Sequence, residues 1–124
     1  MNEKLVFVYN ADSGVLNFIV DAAHKIFSPA TYPCNLCALT YTPTGLPRWR
    51  RFVKSLPWPA KFLHKDELAQ QYGVTDVQLP AAFWWNGRSL QPWIDAEEME
   101  GYTSLDEMMT AVSRQLPHPS TEMN

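Results

Sequence analysis

Residues 79–94 read LPAAFWWNGRSLQPWI. The two runs 81–85 and 89–94 are aromatic and aliphatic, and they flank Asn86-Gly87, the dipeptide best suited to the positive φ angles of a two-residue hairpin turn. An antiparallel hairpin is therefore predicted here, and the rest of the chain is organised around it. After it, Ser104 and Glu107 form a capping box, and Leu105, Met108, Met109, Val112 and Leu116 share one face of a helix over 104–116 that Pro117 ends. Residues 117–124 are a tail.

Before the hairpin the pattern alternates. Residues 5–9, LVFVY, form a short continuous apolar run, as a buried parallel strand does. After the turn NADSG, apolar residues cover most of a helix over 15–27, with Asn17, Asp21, His24, Lys25 and Ser28 as one polar stripe. Pro29 stops it. Beyond the connector SPATYP, residues 37–41 read as a second strand, followed by the turn-rich TPTGLP. Pro47 suits the first turn of the next helix, whose Trp49, Phe52, Val53 and Leu56 fall at i, i+3, i+4, i+7. Residues 60–64 read as a third strand, and Asp66 as the N-cap of a helix through Tyr72 that closes at Gly73.

The predicted order is β-α-β-α-β-α-β-β-α, one α/β domain over residues 1–116 with a central mixed sheet flanked by helices. A chain of 124 residues with 46% apolar and 13% aromatic composition is long enough for one core without disulfide staples. The net charge of −3 hides an asymmetry: residues 1–65 carry eight positive and three negative charges, residues 66–124 two positive and ten negative. Two differently solvated faces explain this division. The run 5–9 is too short for a membrane span or signal peptide, so a cytoplasmic location is expected.

The element order resembles that of thioredoxin. The wording of AKFLHKDELAQQYGV and LPAAFWWNG is similar to that family's strand, short helix and Tyr-Gly exit, and to its X-Pro, apolar strand and Asn-Gly turn. The resemblance implies a thioredoxin-like fold in which Pro80 is the family's cis-proline. It also implies peptide binding at the Pro80 end of the sheet. YNADSG and HKIFSPATYPCNLCALT resemble a second family, of small uncharacterised bacterial proteins, which implies no chemistry.

The two cysteines, Cys34 and Cys37, form a C-x-x-C. In thioredoxin-like proteins the redox pair follows the second strand, and the matching segment here, TPTGLP, has no cysteine. The predicted order puts the pair at the start of the second strand instead, about 15 Å or more from Pro80, at the opposite end of the sheet. Within a regular strand the separation of three sends the side chains to opposite faces and precludes a disulfide, whereas a turn at Pro33 would bring Cys34 back beside Cys37. In a reducing cytosol free thiols are expected unless the pair is catalytic, metal-bound or redox-sensing.

A single C-x-x-C supplies two of the four ligands of a zinc site. His24 is the nearest further candidate, but it sits in the polar stripe, so neither a metal nor another cofactor is expected. There is no G-x-x-x-x-G-K-[ST] loop for phosphates. RWRRF mixes basic and aromatic residues, yet Trp49 and Phe52 belong to a buried face and the arginines to a solvated one, so nucleic acid is not expected as a partner.

The strand ends near Pro80 would gather Asp12, Ser13, residues 42–45 and residues 64–66. Thr42, Thr44, Gly45, Leu79 and Pro80 are the candidate binding residues for a protein or peptide partner. Trp84, Trp85 and Trp93 alternate across the hairpin, for which aromatic cross-strand pairing is the first explanation and a surface for a partner or a second copy of the chain the alternative. The sequence thus points to a non-catalytic binding or adaptor module. The alternative is thiol–disulfide or sensor chemistry at Cys34 and Cys37.

Overall fold

The computed structural model describes residues 2–10, 34–40 and 42–117. Its four strands are β1 (Lys4–Val8), β2 (Ala60–Leu63), β3 (Ala81–Trp85) and β4 (Leu90–Ile94). They form one mixed sheet in the order β2-β1-β3-β4. β1 runs parallel to β2, with Val8 opposite Leu63, and antiparallel to β3, with Val8 opposite Ala81. β1 is central and its residues Leu5 to Val8 are wholly buried. The continuous apolar run is what a strand covered on both faces requires.

The strand period of two sorts these side chains into two cores. Leu5, Phe7, Ala82 and Trp84 face the larger one, with Leu36, Trp49, Met99, Met108 and Val112 from the helices. Val6, Val8, Ala81 and Phe83 face the other, with Leu63 and Leu68. The larger core is aromatic: Phe7 stacks on Phe62 at 5.3 Å and meets Trp49 edge-on at 5.4 Å. Each fully buried side chain of this kind stabilises the fold by about 1.5–3 kcal/mol relative to exposure.

The described residues contain five helices: α1 (Asn35–Thr40), α2 (Gly45–Lys54), α3 (Lys65–Tyr72), α4 (Ala96–Gly101) and α5 (Leu105–Arg114). α2 buries Trp49, with Phe52, Val53 and Leu56 half-buried against the core, as the periodicity predicts. α5 buries Leu105, Met108 and Val112 on one face. Its N-cap Ser104 accepts from the Glu107 N–H at 3.0 Å, while the Glu107 carboxylate reaches one residue further back, to the Thr103 N–H at 2.7 Å.

Several expectations are corrected. The second strand expected over 37–41 is replaced, in its described part, by helix α1. Thr40 shows why: its hydroxyl, wholly buried, donates to the Leu36 carbonyl at 2.6 Å, so a residue with β-preference is satisfied inside a helical turn. α3 starts two residues earlier than expected, with His64 rather than Asp66 at the N-cap. Glu67 Oε1 accepts the His64 N–H at 2.8 Å and pairs with its Nδ1 at 2.6 Å. Gly73 closes α3 in the left-handed conformation, at φ 70°.

The hairpin is present, but its loop has four residues. Trp85 pairs with Leu90, and Asn86 Oδ1 accepts the N–H groups of Arg88 and Ser89 at 2.9 Å each. The side chain of Asn86 takes the place of a tight backbone turn. The tryptophans are used within the chain. Trp84 packs edge-on against Trp58 at 5.0 Å and Trp85 lies tilted against Tyr72 at 5.4 Å, while Trp93 donates to the Gln115 carbonyl at 2.6 Å. Among the described residues no helix is long and apolar enough to cross a membrane. The helix expected over 15–27, with Asp12, Ser13 and His24, lies outside the described residues.

Candidate functional site

The sheet brings the end of β1 beside the start of β3, and the bond entering β3, Leu79–Pro80, is cis. Two residues beyond β1, the backbone N–H of Asn10 donates to Cys34 Sγ at 3.4 Å. Cys34 and Pro80 therefore lie at the same end of the sheet. The expected separation of about a strand length is overturned. Cys34 is the residue before α1 and Cys37 lies in its first turn, so the separation of three that opposes a bond in a strand favours one in a helix, where such residues share a face. Their Cα atoms are 5.3 Å apart and the two sulfurs are bonded, instead of the free thiols expected.

Cys34 Sγ accepts a second N–H, from Cys37, at 3.2 Å. Two backbone N–H groups thus point at Cys34 Sγ. Both cysteines are shielded from solvent, with exposures of 0% and 1%. That leaves the pair closed in this state, and a reagent reaches it only through local opening.

The intervening Asn35 holds this turn in place. Its backbone N–H donates to Glu100 Oε2 at 2.9 Å, and its side-chain Nδ2 donates to the carbonyls of Met99 at 2.8 Å and Tyr102 at 3.0 Å. All three acceptors belong to the last turn of α4 or the residue after it. α4 itself is capped by Asp95, whose carboxylate accepts the Glu98 N–H at 2.9 Å. The sequence reading missed this helix and with it Asn35 and Glu100. The signal was present in Asp95-x-x-Glu98, an N-cap and acidic-first-turn pattern. Next to it, Tyr102 donates its hydroxyl to Glu98 at 2.6 Å, and burial, reinforced by that carboxylate, raises the phenol well above its ordinary range.

A shallow groove of about 650 Å³ is lined by Asn10, Lys65, Val77, Leu79, Glu97 and Glu100 among others, but by neither cysteine. Asn10 thus touches both the groove and Cys34, and Glu100 both the groove and Asn35. Lys65, Val77 and Leu79 also border a smaller, mainly apolar pocket of about 200 Å³ against Leu68, Ala69 and Val74. Comparison with protein-family models, curated proteins and solved structures finds no match to this chain. The site is therefore read from its own geometry.

The five candidate binding residues fall into two groups. Gly45 is buried, and its N–H donates to Thr42 Oγ1 at 2.9 Å, so both serve the junction between α1 and α2. Thr44 is exposed at the same junction. None of the three lines the groove; Leu79 does, and Pro80 is buried just behind it. From the set expected at this end, Lys65 and Asp66 line the smaller pocket together with Leu79. Among the described residues no three His, Cys, Asp or Glu side chains converge as a metal site would require, and the candidate ligand His24 lies outside them.

Proposed function

We propose that Cys34 and Cys37 are a redox-active dithiol–disulfide pair in a thioredoxin-like domain, exchanging disulfides with a partner that docks in the adjoining groove. The observation that carries this is the pairing of the two sulfurs across one helical turn, with two backbone N–H groups aimed at Cys34 Sγ. The fold assignment is supported by a parallel strand pair leading to an antiparallel hairpin and closing helix, with a cis X-Pro bond entering the hairpin. A cytoplasmic location belongs to the same proposal. In that compartment a bonded pair is a cycling one, because static disulfides are rare there.

In the reduced protein, the Cys34 thiolate attacks one sulfur of the partner's disulfide. The S–S bond of the partner breaks and its other sulfur leaves as a thiolate. Cys37, having lost its proton to solvent, then attacks Cys34 Sγ and displaces the partner's second thiolate. Two electrons have passed from the dithiol to the partner, and solvent protons neutralise the released thiolates. An external dithiol runs the same steps in reverse to restore Cys34 and Cys37.

The closed ring is small. In the chain-entropy model a loop of four residues stabilises the fold by only about 2 kcal/mol, so the domain survives reduction and can cycle. The test is to equilibrate native protein in glutathione buffers of defined potential, trap thiols and count alkyl groups by mass. A reversible transition between none and two, abolished by Cys37→Ser, is expected. A pair that stays bonded below about −300 mV is a structural staple and overturns the proposal.

A second reading is favoured by the burial of both sulfurs: a non-catalytic adaptor that holds a protein or peptide at Leu79 without exchange. It predicts binding of partner peptides irrespective of whether Cys34 and Cys37 are present.

A further inference from the structure

We infer that Asn35 is a positioning residue for the cysteine pair, latching the turn that carries it onto α4 and so controlling how readily Cys34 is exposed. The inference rests on the redox reading above and adds a control element to it. Asn35 sits between the two cysteines, is 7% exposed, and directs every donor it has at one segment of four residues, Met99 to Tyr102. Only the amide nitrogen can face two carbonyl oxygens, so the orientation of the side chain is fixed by its partners.

The two carbonyls need it. They lie at and just beyond the end of α4, where no following helical turn supplies an N–H. Buried acceptors left in that position cost more than the bond itself contributes, so the Asn35 side chain and the end of α4 hold each other. Moving the cysteine turn outward means breaking these bonds together. Because Glu100 both receives the Asn35 N–H and lines the groove, the latch ties the turn to the groove wall. Anything that shifts α4 from the groove side acts on the cysteine turn through it.

The experiment measures the alkylation rate of fully phosphine-reduced protein, by mass and peptide mapping, together with the glutathione redox equilibrium. Four proteins are compared: wild type, Asn35→Ala, Glu100→Ala and Glu100→Gln. Losing the side-chain bonds in Asn35→Ala speeds Cys34 alkylation by about tenfold or more. It also shifts the redox equilibrium toward the dithiol by a similar factor, about 30 mV. Glu100→Ala, which removes only the acceptor for the backbone N–H at an exposed position, gives a smaller increase in the same direction, and Glu100→Gln, which keeps an acceptor oxygen, restores the wild-type rate. Should Asn35→Ala fail to fold, the Glu100 pair decides alone.

Wild-type rates and equilibria in both alanine variants would overturn the latch. Equal acceleration in Glu100→Ala and Glu100→Gln would overturn it too, since carboxylate charge and not an acceptor would then be the cause. The alkylation rate is read on protein reduced by the phosphine, so it tests the latch even where the glutathione titration finds no cycling. The two proposals therefore fail separately.

Discussion

Gly45→Ala separates a structural role for residues 42–45 from the binding role that their sequence suggests. A methyl group on Gly45 would stand 2.5 Å from Thr42 Oγ1, 3.0 Å from the Leu39 carbonyl and 3.5 Å from a methyl of Leu105. The first distance is well inside van der Waals contact, and the hydroxyl that must retreat is the one accepting the Gly45 N–H at 2.9 Å. Helix propensity favours alanine by at most about 1 kcal/mol. Against this stand about 1–3 kcal/mol for overpacking and about 1 kcal/mol for the hydrogen bond. The net expectation is a loss of about 1–3 kcal/mol, read as a lower urea midpoint with an unchanged slope.

Thr42→Ala/Gly45→Ala provides the internal control. Without Oγ1 the 2.5 Å contact disappears while the 3.0 Å approach to Leu39 remains, so the double variant is more stable than the sum of the single losses implies. A Gly45→Ala protein as stable as the wild type, or a purely additive cycle, would refute the packing argument. It would also return these residues to the list of binding candidates.

Glu67→Gln tests the cap of α3. The His64 backbone N–H, and then the His64 ring, lower the Glu67 carboxyl below its ordinary value of 4.5. A group whose folded pKa is depressed adds stability above its unfolded pKa and loses it as pH falls through the folded value. The variant is therefore less stable than wild type at pH 7, and in urea titrations the gap narrows as pH falls below the ordinary carboxylate value of 4.5; a gap that persisted unchanged at low pH would contradict the assignment. Reduction of Cys34–Cys37 by a phosphine lowers stability by about 2 kcal/mol without unfolding the domain, from the loop length. Far-ultraviolet circular dichroism of the reduced protein checks this, and loss of the folded signal would show that the bond is required for the fold.

Where local chemistry and tertiary context agree, the fold is legible in the chain. β1 is readable because a strand with neighbours on both sides needs an unbroken apolar run, and LVFV supplies it. α5 is readable because Ser104, Glu107 and the Leu105, Met108, Val112 face all indicate one helix. The site is a different case. The segment after Cys37 contains Thr40 and looks extended, but it is helical because a buried hydroxyl bonds back to Leu36 and Asn35 docks on a distant turn. That docking partner, α4, is only six residues long and too short to show a periodic face.

Asn86 misled differently. The Asn-Gly pair announced the hairpin correctly, but its side chain capped a four-residue loop instead of entering a two-residue turn. The placement of Cys34 next to the Leu79–Pro80 end of the sheet depends on a bond between Asn10 and a residue 24 positions later, which no local pattern encodes.

Under the proposed function Cys34 and Cys37 exchange electrons with partners while the domain stays folded. Its most direct test is the mass-resolved titration of native protein across glutathione buffers from about −150 to −300 mV. One reversible two-electron transition is expected within that range, with the reduced form folded. A pair that remains bonded throughout, or thiols that never re-form the bond on oxidation, would contradict it.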